Sequence, residues 1–469
     1  MGLWLAWRHG QDQAAKRARE DFPWSRKICY GPPLPFILSH GQAFMSRLLL
    51  PFTALFLAIA LLLAGNGGLF TLLPVHAKLI GFSSFSLGIL GAIYYAGFIA
   101  GCFVTPWLLR RSGHMRTFAA LASLVAVLAL LFPMTRDASL WWALRVATGF
   151  CLAGLYMTVE SWLNGETPNE ARGRVFAIYA IINLSVFSLG QLLVALDDPA
   201  GARLFSLVAI LFSLSILPLM LTQGTAPALP HKVRLDLARL FRLAPVGAVG
   251  VLVTGFANGA FWAMGPVFAL TIGFSVAEVA LFMSLVGLGA ALAQWPWGRW
   301  SDRTDRRRVI LLQAALAAVI GLAIVLLGGA SGPILGLAVL FGAGAMPLNS
   351  VCVAHVNDMV TKAEAVVVSA GLNLLYGLGA IIGPLIAAAL MGAFGPAALF
   401  ALTAATQVLF IGFLIYRLTR RPPWPAAAKD AFVPVAYTSP AVFEMDPRAQ
   451  RAHIRRKGTK TRLETRRKE

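Results

Sequence analysis

The stretch Asn66-Gly67-Gly68-Leu69-Phe70-Thr71-Leu72-Leu73-Pro74-Val75-His76-Ala77-Lys78-Leu79-Ile80-Gly81-Phe82-Ser83 returns 192 residues later as Asn258-Gly259-Ala260-Phe261-Trp262-Ala263-Met264-Gly265-Pro266-Val267-Phe268-Ala269-Leu270-Thr271-Ile272-Gly273-Phe274-Ser275. The copies share, in register, Asn66 and Asn258, Gly67 and Gly259, Pro74 and Pro266, and the run Gly81-Phe82-Ser83 with Gly273-Phe274-Ser275. Two unrelated apolar helices match by chance at Leu and Ala. Asn-Gly, Pro and Gly-Phe-Ser in one register mark a duplication. The same offset pairs Gly97 with Gly289, Arg111 with Arg303 and Arg116 with Arg308. An offset of 193 then pairs Gly149 with Gly342, Asn164 with Asn357 and Gly190 with Gly383. The repeat covers most of each half of the chain.

Both copies lie in a sequence too apolar for water. Of 469 residues, 58% are hydrophobic and 13% charged, about half the charge of an ordinary soluble domain; mean hydropathy is +0.73. Apolar stretches near the ~20 residues that cross a bilayer fall at 50–75, 86–109, 115–134, 139–163, 174–196, 202–222, 246–271, 277–298, 309–329, 333–356, 365–391 and 396–417. Hydrocarbon offers the backbone no hydrogen bonds, so these are predicted as helices. The expected fold is an all-α membrane protein of about twelve transmembrane helices in two six-helix pseudo-symmetric halves. Six spans separate the copies, so both run the same way through the bilayer. Parallel repeats of this kind build one transporter architecture, with the solute site between the halves.

The formal net charge of +20 does not point to nucleic acid, because the basic residues sit in short clusters between apolar runs and in the two tails. With a cytoplasmic N-terminus, the inner loops hold Arg110, Arg111 and Arg116, then Arg172 and Arg174, then Lys232, Arg234, Arg239 and Arg242, then Arg303, Arg306, Arg307 and Arg308. The outer loops hold little beyond Lys78, Arg136 and Arg203. The asymmetry predicts a multi-pass protein of the bacterial inner membrane with both termini cytoplasmic. Residues 1–45 read as an N-terminal extension without tertiary structure, 46–222 as the first half and 246–418 as the second. Met45 stands where a compact membrane protein would begin, so residues 1–44 are either a disordered tail or the product of an upstream start codon. The connection 223–245 is either a plain tether or carries a short surface helix over His231–Leu243. The tail 419–469 is basic and expected to be solvated. Cys29, Cys102, Cys151 and Cys352 form no C-x-x-C pair, so neither disulfides nor zinc are expected. No P-loop appears, and no cofactor is expected.

Three segments resemble the major facilitator superfamily. Gly298-Arg299-Trp300-Ser301-Asp302-Arg303-Thr304-Asp305-Arg306-Arg307-Arg308 is similar to the family's loop motif G-x-x-x-D-R-x-G-R-R, departing at Asp305, where glycine is usual. Arg145-Val146-Ala147-Thr148-Gly149 resembles the R-x-x-x-G pattern of the fourth span, and Pro168-Asn169-Glu170-Ala171-Arg172-Gly173-Arg174 the P-x-x-x-R-G-R connection after it. Gly379 to Gly383-Pro384 fits a G-x-x-x-G-P packing pattern, and Tyr156-Met157-Thr158-Val159-Glu160-Ser161-Trp162-Leu163-Asn164 looks like the bacterial YcaD-type branch. The likeness covers residues from about 46 to 418 and implies a transporter. It also implies a cytoplasmic gate at Asp302 and Arg303, and the repeat symmetry suggests that this gate closes on the start of the fifth span at Arg172 and Arg174. The first-half equivalent of Asp302 is Arg110, so the symmetric contact lacks its acid.

Ionisable residues at membrane depth are costly and mark function by default. Arg145, Gly149, Ala153, Tyr156 and Glu160 advance by helical steps and share one face, predicted to look into the space between the halves. Arg145 and Glu160 lie about 22 Å apart at 1.5 Å per residue and cannot pair. Arg145 either lines the solute cavity or is tied to backbone carbonyls or the outer surface. Glu160 is either a proton-coupling carboxylate or one half of an ion pair at the inner edge. Asn66 and Asn258 either bridge helices or bind solute. Trp262, Tyr179 with Asn183, Asn373 with Tyr376, Gln294 and Asn349 complete the candidates for a polar-dotted cavity. Together these predict a secondary transporter that moves a small solute by alternating access, functional as a monomer. A membrane-embedded enzyme acting on lipid is the alternative, for which Glu160 and His355 offer thin material.

Overall fold

The repeated Gly-Phe-Ser builds the same corner twice. In the computed structural model of the chain, the first spanning helix, α1 (Thr53–Leu79), ends on Gly81 at φ 95°, a conformation that favours glycine. The Phe82 N–H bonds the Ala77 carbonyl in a Schellman closure, and the Ser83 side chain accepts from the Ser86 N–H to start the next helix. The second copy ends α7 (Pro245–Thr271) on Gly273 at φ 96°, bonds Phe274 N–H to Ala269 and caps the following helix with Ser275. There Glu278 completes a capping box. Pro74 and Pro266 each lie five residues before the end of their helix.

The structure describes residues 52–167, 172–221, 237–327, 331–360 and 365–420; of 172–174, 176–177, 237–239, 331, 365–367 and 369 only the backbone is described. Eleven helices are long and apolar enough to cross a bilayer, and one of them, Ser84–Met134, has 51 residues. At 1.5 Å per residue it is about 76 Å long, more than twice a ~30 Å hydrocarbon core. It breaks at Gly113, φ 75° and ψ 169°, into two legs, α2 (84–112) and α3 (114–131). The spans therefore number about twelve. The others are α4 (Ala138–Glu166), α5 (Arg172–Gly190, extended by a 3-10 turn Gln191–Leu196), α6 (Arg203–Leu214, continued by Ile216–Met220) and α8 (Val276–Arg303). They continue with α9 (Arg306–Leu327), α10 (Ser331–Ala345, resumed over Leu348–Asn357), α11 (Ala365–Phe394) and α12 (Ala398–Arg420). Twelve passes bring Thr53 and Arg420 to one end of the bundle, the near end. The expectations for residues 1–45, most of the 223–245 connection and nearly all of the basic tail lie outside the described residues. Within the connection a short helix does form, over Leu237–Leu243.

Packing repeats as the sequence does. In the first half α1 packs on α5 and α6, and α2 with α3 on α4; in the second α7 packs on α11 and α12, and α8 on α10. The paired glycines mark the crossings. A Cβ at Gly97 would collide with the Val146 carbonyl, and at Gly289 with that of Val339; at Gly190 with that of Ala64, and at Gly383 with that of Phe256. Without a hydrophobic drive between helices in lipid, such close backbone approaches are what dispersion forces act through. The peripheral helices turn large apolar side chains outward, among them Val127 on α3, Ile210 on α6, Val319 on α9 and Leu409 on α12, all more than half exposed. Their place is against acyl chains.

Candidate functional site

The two halves enclose a cavity of about 220 Å³. Its walls come from α1, α2, α4 and α5 and from their repeat equivalents α7, α8, α10 and α11. Asn66, Tyr156 and Asn183 face it from the first half, and Asn258, Trp262, Gln294, Asn373 and Tyr376 from the second. Sequence reasoning missed most of the aromatic wall: Phe70, Tyr94, Tyr95, Phe98 and Phe187, with Cys102 beside them. The adjacent Tyr94-Tyr95 in an otherwise aliphatic span was the available signal. Large rings in a span read equally well as lipid-facing.

Polar side chains in the cavity are held by bonds within each half. The Asn66 amide donates to the Tyr156 hydroxyl at 2.7 Å, joining α1 to α4, and Asn258 shares a hydrogen bond with Tyr376, joining α7 to α11. Asn66 Oδ1 and Asn183 Nδ2 are buried without a partner, which leaves hydrogen-bonding capacity directed at whatever fills the space. Gln294 donates to Ser350 at 2.6 Å. Four predicted residues do not reach the wall: Arg145, Glu160, Tyr179 and Asn349. Glu160 is fully buried and accepts from the Tyr179 hydroxyl at 2.9 Å, so α4 and α5 are pinned together there. Asn349 is buried on α10, its Oδ1 unpartnered.

The single-face expectation for α4 holds only in part. Tyr156 lines the cavity, but a Cβ at Gly149 would meet the Tyr94 carbonyl and Ala153 Cβ sits against Gly101. Both small residues are spent on packing against α2, which lies closer than a helix with larger side chains would allow. Periodicity gives a shared face, not what lies opposite it.

Arg145 stands at the end of the cavity remote from the near end. It is 3% exposed, and its guanidinium lies 4.3 Å from the Tyr94 ring centre and 5.0 Å from that of Phe70. Cation–π attraction of this kind reaches about 2 kcal/mol when desolvated. Arg145 lines a smaller cavity whose walls Phe70, Tyr95 and Trp262 are shared with the central one. Phe70, Phe187 and Trp262 meet edge to face with ring centres 5.5–6.3 Å apart, a ring cluster drawn from both halves. Beyond it the halves touch directly. Gly88 packs on Pro384 and Ala388, Gly91 on Ala263, and Ser284 donates to the Ser188 carbonyl at 2.8 Å. The bundle is closed at this far end.

At the near end Arg306 organises the second half. It is 1% exposed and bonds Asp358 at 2.6 Å, Ser301 at 2.8 Å and Asp302 at 3.1 Å, so the α8–α9 corner is tied to the end of α10. The repeat equivalent of Arg306 is His114, which bonds Ser161 on α4 at 2.9 Å and so ties the start of α3 to α4. Burial pushes the Asp305 carboxyl up, but the Arg307 guanidinium and backbone bonds outweigh this and hold it below its ordinary value. Arg110 and Arg303 are exposed. The side chains of Arg172 and Arg174 lie outside the described residues.

A helical bundle with duplicated halves and an amphipathic cavity between them defines a membrane transporter fold. The sequence profile of the Major Facilitator Superfamily matches residues 1–191 and 247–460, and the chain belongs to that family. Among its relatives is the uncharacterized MFS-type transporter YcaD of Salmonella typhimurium, 25% identical over 385 residues, which are 82% of this chain and 100% of the relative. The protein of the same description from Escherichia fergusonii is 25% identical over 347 residues, 74% of this chain and 90% of its own. Among solved structures, the nucleoside transporter NupG superposes with a TM-score of 0.64 at 13% identity, covering 77% of this chain and 98% of that one. A bacterial homolog of the human lysosomal transporter Spinster, inward-facing and occupied, gives 0.63 at 16% identity, covering 81% and 98%. At these identities the two structures speak for the fold alone.

Proposed function

We propose that this secondary transporter carries a small amphipathic solute across the bacterial inner membrane by alternating access, acting as a monomer with both termini cytoplasmic. The observation that carries the reading is the cavity itself, walled by both halves, with unpartnered amide atoms among aromatic rings. Glu160 is the group proposed to couple transport to protons: its bond to Tyr179 would be remade each time the carboxyl changes protonation. Reconstitution into liposomes with a panel of labelled solutes, with and without a pH gradient, tests the reading. Uptake of at least one solute is expected, accelerated by the gradient and insensitive to it in Glu160→Gln. Chemical conversion of a lipid or solute without net movement would favour a membrane-embedded enzyme instead.

The gate is proposed at Asp302. When the near end closes, its carboxylate is expected at the start of α5, where the helix N-terminus favours negative charge by about 0.3–1 kcal/mol; Arg172 and Arg174 would add charge-assisted bonds. Asp302→Asn is expected to keep the fold and shift the population toward the state open at the near end. Arg110→Asp is expected to stabilise the closed state by restoring the missing acid.

A further inference from the structure

Among the described residues, the buried cation Arg145 has no counter-charge. Its Nε and Nη1 have no hydrogen-bond partner, and no ion pair among the described residues includes it. Glu160, on the same helix, lies fifteen residues away, about 22 Å along the axis. Aromatic faces attract a cation but give its N–H groups nothing to donate to, and a structural arginine in lipid ordinarily takes backbone carbonyls or a carboxylate. The guanidinium instead lines a cavity divided from the central one by the side chains of Phe70, Tyr95 and Trp262. Side chains can rotate where backbone cannot.

We propose that the transported solute is a monovalent organic anion with an apolar body, its carboxylate or similarly compact acidic group received by Arg145. The inference rests on the transporter reading above and names its substrate class. One guanidinium matches one anionic group in a fork geometry. The aromatic wall suits an apolar body, and the five cavity amides, Asn66, Asn183, Asn258, Gln294 and Asn373, serve any polar substituents. A cavity of about 150 Å³ holds benzene, so the 220 Å³ here takes a one-ring or two-ring acid. The cavity at Arg145 is itself only about 10 Å³, room for about one water, so the acidic group reaches the guanidinium when the side chains of Phe70, Tyr95 and Trp262 turn aside, with the apolar body in the central cavity.

The test uses full-length protein in detergent and two isosteric probes, 3-phenylpropionate and 3-phenylpropionamide, with binding followed by intrinsic tryptophan fluorescence and thermal shift. Wild type is expected to bind the carboxylate about tenfold or more tightly than the amide, the difference that one charge-assisted hydrogen bond supplies. Arg145→Gln is expected to abolish the preference, weakening carboxylate binding far more than amide binding, while Arg145→Lys keeps part of it. Equal binding of the two probes by wild type, no binding of either, or a preference that survives in Arg145→Gln would each overturn the proposal. The wild-type comparison decides even if the glutamine variant does not fold. Liposome flux separates this from the broader reading: uptake of neutral solutes with no acid preference sinks the anion assignment alone, whereas selective carboxylate binding with no flux sinks the transporter reading and leaves the site.

Discussion

A tyrosine and an alanine one helical turn apart illustrate what the cavity selects. Tyr156 faces the cavity and Ala153 packs on Gly101. Tyr156→Cys is therefore expected to react with a water-soluble maleimide and Ala153→Cys to stay unreactive in every transport state; equal labelling would place the α2–α4 seam in water. Arg306 offers a second test. It and Asp358 are almost fully buried at 2.6 Å, so removing one charge strands the other. Arg306→Gln is expected to cost about 3–5 kcal/mol, read as a lowered unfolding midpoint in detergent. Its equivalent His114 makes a single hydrogen bond to Ser161, and His114→Gln is expected to cost only about 1 kcal/mol.

Elements are where the duplication becomes a measurable symmetry. Gly97 and Gly289 occupy equivalent crossings, each too close to a carbonyl for a methyl group. Gly97→Ala and Gly289→Ala are expected to destabilise similarly, by about 1–3 kcal/mol, whereas Gly336→Ala, with open space around its Cβ position, should be neutral or slightly stabilising. Thermal unfolding of the three variants decides it, and a large asymmetry between the first two would contradict equivalent packing. The helices themselves were legible because hydrophobic length and the Gly-Phe-Ser corners are local. The junction at Gly113 was legible as two spans, though not as one helix turned by a single glycine. The helix over Leu237–Leu243 stayed undecided in sequence, since a basic, apolar-dotted stretch suits a tether equally well.

At the scale of the molecule the far end is shut by contacts between halves, and alternating access requires them to part. Ser188 Cβ lies 2.9 Å from where a Cβ at Gly287 would stand, near enough for a disulfide after a small adjustment. The double variant Ser188→Cys, Gly287→Cys is expected to cross-link under oxidation, to stop transport, and to recover with reductant. Transport that continues through the cross-linked protein would mean that the far end need not open. The same cross-link is expected to hide Arg145 from solutes added on the far side.

The sequence by itself determined that the chain spans a bilayer about twelve times, that its halves are copies, and which amides, phenols and charges lie at membrane depth. Those follow from hydrophobic length, loop charge and register, properties of neighbours along the chain. Tertiary structure alone decided what each polar residue faces. It put Tyr156 in the cavity and Gly149 in a seam, bonded Glu160 to Tyr179, and set Arg145 against the rings of Tyr94 and Phe70. A helical period specifies a direction around an axis. Only the packing of other helices in that direction makes it a wall, a seam or a site.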